Sequence, residues 1–323
     1  MLTYKEVKKQ SLTVFEQFGE TKWIPNAKYN ATLKRSDTKS FQNIGLGKYL
    51  VCAVMGASLE NAIPLIKKYR DRFDLFCCDK AMGVLLDRGI TPDFVHLADA
   101  NISYKDWCEK WIEKTKDIKL ISTVHANTEW TKNWKGERFF YVNKDAIKTE
   151  EKFKPIFDNQ LRVIPASSNV SNAMVVFMTG SDNEGRDNYA GYEKIFLVGY
   201  DYSWKPKGNY YAFSNPIPKR YYMTHRVMLD FNGDIVLTSE NLLFSAKWLF
   251  QYVTGYKLPV VNCSESGLLD IPRMDFETAL KKINNDKNLI QKVRDKAEVI
   301  KKIKKEYETT LSEFNQIRRE LWR

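Results

Sequence analysis

Six places along this chain put small or polar residues where an apolar run stops. They are Gly56-Ala57-Ser58-Leu59, Asp79, Asp99-Ala100-Asn101, His125 with Asn127, Ser167-Ser168-Asn169 and Asp201-Tyr202-Ser203. A glycine followed by a hydroxyl at a helix start turns backbone N–H groups towards an anion such as phosphate. The same four residues also read as an ordinary turn with Ser58 as helix N-cap. Asp79 and Asp99 close neighbouring runs. Carboxylates there bind ribose hydroxyls, or a divalent metal such as Mg²⁺ or Mn²⁺ that neutralises a diphosphate, and helix capping is the plainer alternative. Of the three histidines, His96 lies inside an apolar run and reads as packed core, and His125 ends a run. His225 follows two tyrosines in a loop-like segment, where a near-neutral imidazole suits proton abstraction from a substrate hydroxyl.

Such residues need strands to hold them. Apolar runs at 50–55, 74–80, 93–101, 119–127, 138–143, 161–169, 194–203 and 258–265 have strand texture. Between them lie helical stretches: ENAIPLIKKY, AMGVLLDRG closing at Gly89, a Trp/Lys-rich helix over 104–116, VSNAMVVFMTG at 170–180 and ENLLFSAKWLFQYVTG. Near-continuous apolar strands alternating with helices predict an α/β fold, a Rossmann-like and mostly parallel sheet with helices on both faces. Ligands of such sheets bind outside the carboxyl ends of the strands. The stretch 204–226, rich in Pro, Gly and Tyr, is too long for an ordinary connection and reads as a lid that closes over a ligand. FNGDIVLT at 231–238 looks like a hairpin.

Three segments result: an N-terminal helical or irregular part over 1–47, with a helix-like stretch from Tyr4 to Phe18; a Rossmann-like core over 48–273; and a helical extension over 274–323. In the last, Val293, Ile300, Tyr307, Phe314 and Leu321 recur every seven residues. That stripe packs on its own domain or pairs with another helix as a homo-oligomer.

The whole-chain chemistry narrows the class. Among 323 residues, 51 Lys and Arg face 40 Asp and Glu, a net charge of +11 that attracts anions. No helix-turn-helix, zinc-finger or single-strand-binding signature accompanies it, so nucleic acid is not the expected partner. Hydrophobic residues at 43% and charged at 28% fit a folded globular chain. No apolar run reaches the ~20 residues that cross a bilayer, and the first residues lack a signal-peptide core. The five Cys residues, none spaced C-x-x-C, exclude a disulfide framework and match no zinc pattern. A cytoplasmic protein is expected.

GASLENAIP, DLFCCDKAMGVLLDRGITPDFVHLAD, KIFLVGYDYSW and VNCSESGLLDIP resemble, in this order, the MptE-like family. That family is named after an archaeal 6-hydroxymethylpterin pyrophosphokinase and includes bacterial motility-associated factors implicated in attaching nonulosonic acids to flagellin. The likeness spans roughly residues 45–272. The core is also similar to the family 42 sialyltransferases, which use CMP-sialic acid. Their glycine-rich turn is similar to Met55-Gly56-Ala57-Ser58-Leu59, and the strand ends that carry their nucleotide-contacting asparagines correspond to Asp79 and Asp99 here. Ser167-Ser168-Asn169-Val170 matches a segment with a CMP-contacting serine, which falls on Ser168. Gly199-Tyr200-Asp201-Tyr202-Ser203 followed by Tyr211-Ala212-Phe213 matches the part carrying two phosphate-binding tyrosines. The first is Ser203 here and the second Tyr211, and the family's histidine base falls on His225.

The resemblance therefore implies transfer of a nonulosonic acid from a CMP-activated donor to a protein or glycan hydroxyl. Gly56, Ala57, Ser58, Asp79, Asp99, Ser167, Ser168 and Asp201 would hold the donor; His225, Tyr211 and Ser203 would act on it. The two aspartates add negative charge beside a phosphate and need a metal or a compensating cation. A Mg²⁺-dependent pyrophosphokinase using Asp79 and Asp99, and a non-catalytic assembly protein acting through its last helix, are the competing readings. The chain has no P-loop to favour the former.

Overall fold

The computed structural model describes residues 19–144, 150–159, 161–164, 169–180, 188–213 and 225–283, together with helical backbone at 295, 296, 299, 302, 303, 306 and 309. Eight strands form one parallel sheet: β1 (Tyr49–Ala53), β2 (Asp74–Cys78), β3 (Phe94–Leu97), β4 (Lys119–Thr123), β5 (Arg138–Asn143), β6 (Arg162–Ile164), β7 (Lys194–Val198) and β10 (Val260–Asn262). Their order is β10-β7-β1-β2-β3-β4-β5-β6. The chain lays down β1 to β6 in one direction, then returns to place β7 on the free side of β1. A topological switch point thus opens between β1 and β7.

The strands are apolar on both faces because helices cover both. Leu50–Ala53, Leu75–Cys78, Phe94–Leu97 and Ile195–Val198 are all buried. The helices are α1 (Ile24–Ala31), α2 (Leu59–Lys68), α3 (Asp79–Asp87), α4 (Tyr104–Trp107), α5 (Thr128–Asn133), α6 (Glu150–Phe153), α7 (Val170–Thr179), α8 (Glu240–Gly255) and α9 (Phe276–Lys281). Phe41 is driven into the core from outside the sheet and meets Phe94, Phe139 and Phe177 at ring-centroid distances of 4.8–5.6 Å. A two-stranded antiparallel ribbon, β8 (His225–Leu229) and β9 (Ile235–Ser239), turns at Gly233 (φ +85°) and joins the main body through Trp204, which pairs with Leu237.

The expected helix over 104–116 is not one helix. It breaks at Cys108 (φ −136°) into a single α turn and a 3₁₀ stretch, Glu109–Thr115. The break buries Cys108 and lays the Trp111 ring against Gly83 of α3, where an added Cβ would lie 2.5 Å from it. The Trp111 indole N–H also donates to Asp87 at 2.8 Å. Tertiary packing here overrides a helical composition.

The stretch Tyr4 to Phe18 and the seven-residue stripe lie outside the described residues. Among the described residues, no helix is long and apolar enough to cross a membrane.

Candidate functional site

β1, β2, β3 and β7 end side by side, and residues at or just past their ends wall a cavity of about 220 Å³ at the switch point. Gly56, Asp79, Asp99, Ser203 and Tyr211 all line it. Lys80, Asn169, Ser171, Tyr202 and Tyr210 join them.

Asp79 reaches this cavity because α3 starts directly after β2, with no intervening loop. Its carboxyl is buried and Oδ1 accepts the Lys80 backbone N–H at 2.7 Å. Burial pushes its pKa up to about 7; the nearby Asp99 charge adds to this, while the Lys80 N–H and ammonium oppose it. Lys80, one residue on, turns its side chain across the cavity. Its Nζ donates to Tyr211 Oη at 3.0 Å and stands 4.6 Å from the Tyr211 ring and 5.5 Å from the Trp107 ring. Burial works against this ammonium, but Tyr211 and Asp79 outweigh it and hold its pKa above the ordinary lysine value. Asp99 is exposed, and its Oδ1 closes a turn by accepting the Asn101 N–H at 2.7 Å.

Tyr211 is brought in by the first part of the expected lid. Residues 204–213 are pinned at several points. The Ala212 N–H donates to Met55 O at 3.0 Å, and Glu60 Oε1 of α2 accepts from Asn209 Nδ2 at 3.1 Å and from the Phe213 N–H at 2.6 Å. The Arg88 guanidinium lies 3.7 Å from the Phe213 ring centroid. On the opposite wall, Asn169 caps α7 by accepting the Asn172 N–H at 2.9 Å and the Ser171 hydroxyl at 2.8 Å. Tyr202 holds a left-handed backbone (φ +53°), uncommon for a bulky residue, and its phenol donates to Asn172 Oδ1.

The glycine turn does something other than expected. Its N–H groups point into the protein: Gly56 donates to Gly199 O at 3.1 Å and Ser58 to Asp201 Oδ2 at 2.8 Å, while the Ser58 hydroxyl donates to Asp201 Oδ1. A Cβ on Gly56 would sit 2.2 Å from Gly199 O, so glycine is there to let the ends of β1 and β7 touch. Ser58 and Asp201 therefore spend their polar atoms on each other. Burial raises Asp201 to about 6, against the pull of both Ser58 bonds. With Ala57 they face an adjacent cavity that shares only Ser203 with the first.

None of the three histidines lines the switch-point cavity. His96 is core: fully buried, bonded through Nε2 to Tyr141 Oη at 2.6 Å and lowered by burial to about 3. His125 stacks on Trp23 at 4.4 Å and burial lowers it to about 4. His225 begins β8, opposite Ser239, the N-cap of α8. Ser167 and Ser168 lie outside the described residues. Among the described residues, no group of three or more His, Cys, Asp or Glu is placed to hold a metal.

Lys80, Ser171 and Tyr210 line the cavity without having been singled out from the sequence. Lys80 had a signal: it directly follows a strand-end aspartate at a helix start, where side chains point back at the strand ends.

The sheet order defines a Rossmann-like α/β protein with a cavity at its switch point. The chain belongs to the 6-hydroxymethylpterin diphosphokinase MptE-like family, whose model matches residues 21–207. It is 34% identical over 88 residues to an uncharacterized protein of Treponema pallidum (strain Nichols), covering 27% of this chain and 41% of that one. Its fold is similar to the MAf glycosyltransferase from Magnetospirillum magneticum AMB-1, with a TM-score of 0.55 and 16% identity over 88% of this chain and 44% of that one. The chain thus spans less than half the length of either.

Proposed function

We infer that this protein is a glycosyltransferase that takes a nonulosonic acid from a CMP-activated donor and passes it to a protein or glycan hydroxyl. One observation carries the reading: Lys80 and Tyr211, already bonded to each other, stand in the same switch-point cavity as Asp79 and Asp99. An ammonium and a phenol on one wall suit the negative charge that develops on a leaving phosphate. They also supply the cation that two carboxylates beside a nucleotide require. In this reading Asp79 and Asp99 meet the ribose hydroxyls, and Ser203 and Tyr202 border the sugar. The bond from the sugar's anomeric carbon to the phosphate oxygen breaks, the acceptor oxygen bonds to that carbon, and CMP leaves with the electron pair. The acceptor proton goes to His225, which stands outside the cavity lining and would approach with the bound acceptor. The fold likeness to a MAf glycosyltransferase is consistent with this chemistry.

The paired carboxylates and the family model's own name favour a second reading, diphosphoryl transfer from ATP. It calls for Mg²⁺, and the donor set fits that ion poorly: Asp79 titrates near neutrality, accepts a backbone N–H and adjoins a lysine ammonium.

A thermal-shift panel of CMP, CDP, UDP, GDP and ATP, each with and without Mg²⁺ or Mn²⁺, separates the two, since a ligand of the folded state raises Tm by mass action. CMP alone is expected to stabilise. Stabilisation by ATP with Mg²⁺ only would replace the first reading by the second. For the base, His225→Gln should lower turnover by about 10²-fold with donor affinity unchanged. Unchanged turnover would remove His225 from the mechanism.

A further inference from the structure

The backbone bonds of the β8–β9 ribbon show which way each residue of β8 turns its polar groups. Leu237 of β9 exchanges both of its backbone bonds with Trp204, at 2.9 and 2.8 Å, and the Asp230 N–H donates to Asp234 O at 2.9 Å. Bonded pairs alternate along an antiparallel ladder. Arg226 and Met228 therefore bond to β9, whereas His225, Val227 and Leu229 turn their N–H and C=O groups to the other side. Among the described residues, β8 and β9 form a sheet of two strands, with no third strand on that side.

The side chains along this edge are as bare as its backbone. Val227, Leu229 and Ile235 share one face of the ribbon and are 63%, 64% and 59% exposed. The other face lies on the body, where Val236 and Thr238 are buried. Soluble proteins defend such an edge with lysine, proline or a bulge. β8 reads His-Arg-Val-Met-Leu and pairs residue for residue with β9, so it has none of the three. Its only guanidinium, Arg226, is ion-paired with Glu240 of the same chain.

The strand is also its own complement. Laid antiparallel on a copy of itself about Val227, it sets Val227 against Val227, Arg226 against Met228 and His225 against Leu229, so no charge faces its like. The outward N–H and C=O groups of His225, Val227 and Leu229 then find each other, and the two aliphatic triads merge into one apolar face.

We propose that two copies of this chain associate through β8, paired antiparallel around a twofold axis at Val227, to make a four-stranded sheet β9-β8-β8-β9. This contact does not depend on the transferase reading. Each copy carries a net charge of +11, so the contact forms against repulsion and tightens as salt screens it. Docking of an acidic partner on the same edge would weaken with salt instead.

Sedimentation velocity on the full chain, over about a hundredfold range of concentration at low and high salt, is expected to show a monomer–dimer equilibrium that salt strengthens. Leu229→Lys should weaken the dimer at least about tenfold and keep the parental melting temperature, because the side chain it replaces is exposed. The register has its own readout. A bonded antiparallel pair holds its Cα atoms about 5.5 Å apart, within disulfide reach, whereas Leu229 and its copy would stand roughly 14 Å apart. The five native cysteines are buried, so under mild oxidation Val227→Cys should form a crosslinked dimer at least about tenfold faster than Leu229→Cys. This comparison reports even if Leu229→Lys misfolds. Monomers at every concentration, a dimer that salt loosens or that survives Leu229→Lys, or equal crosslinking of the two cysteine variants would each overturn the β8 contact.

Discussion

Asp79 is a carboxylic acid held where one proton changes the charge of the whole cavity. Unfolded, it titrates near pH 4; folded, it titrates near 7 because burial disfavours its charge. The folded state therefore binds an extra proton between those limits. The stability it contributes is present below about pH 4 and is lost as pH rises towards 7. Asp79→Asn cannot ionise. Its stability relative to the parent should grow from pH 4 to 7 and then level off, reaching on the order of 2–4 kcal/mol. Urea midpoints at several pH values check this, and a difference independent of pH would mean that Asp79 titrates normally. Asp201, shifted the same way, and His96 and His125, whose lowered values give the opposite slope, are common to both proteins and cancel in the difference. The neighbouring lysine gives a binding prediction. Lys80→Ala should weaken nucleotide binding by about 10–100-fold, the scale of one lost charge-assisted hydrogen bond, and Tyr211→Phe by less. Calorimetric titration with CMP decides, and parental affinity in Lys80→Ala would place the phosphate elsewhere.

At the scale of elements, a single glutamate of α2 holds two points of the segment that carries Tyr211. Glu60 takes both the Asn209 amide and the Phe213 N–H. The sequence reads 204–226 as a lid that closes on a ligand, yet its described first part is already tied across the strand ends. Glu60→Ala removes both bonds and leaves the Ala212–Met55 bond and the Arg88–Phe213 stack. The expected result is faster proteolytic cutting within 204–213 and weaker nucleotide retention, with global stability lowered by only about 1–2 kcal/mol. Limited proteolysis read by mass spectrometry tests this. Cutting at the parental rate would assign the hold to the remaining contacts.

At the scale of the molecule, the family match ends at residue 207 but the sheet does not. β10 pairs with β7 through Val260, Val261 and Asn262, and α8 and α9 pack behind. A chain cut to residues 21–207 would leave β7 as a bare edge displaying Ile195, Phe196 and Leu197, a template for aggregation. That fragment should be insoluble or lack a cooperative unfolding transition, while the full chain should melt cooperatively in circular dichroism. A soluble, cooperatively folding fragment would show that β10 is dispensable to the fold. The described C-terminal positions carry one more whole-molecule feature: Val299 and Ile303, one helical turn apart, are 57% and 58% exposed.

The alternation of apolar runs with helical stretches was enough, read along the chain, to establish the α/β class, the parallel sheet and most strand positions. Burial on both faces writes itself into each strand as an unbroken apolar run. The strand-end positions of Asp79, Asp99 and Ser203 were legible for the same reason, because the unbroken apolar run stops where the strand leaves the sheet. Which strand ends meet was not. Only the return of β7 to the far side of β1 creates the crevice and sets Gly56 against Gly199 and Ser58 against Asp201. The Lys80–Tyr211 pair spans 131 residues, and the breaking of the 104–116 helix depends on Trp111 finding Gly83. Local pattern records whether a side chain is buried. Which side chain it meets across the sheet is decided by chain reversals that leave no periodic trace.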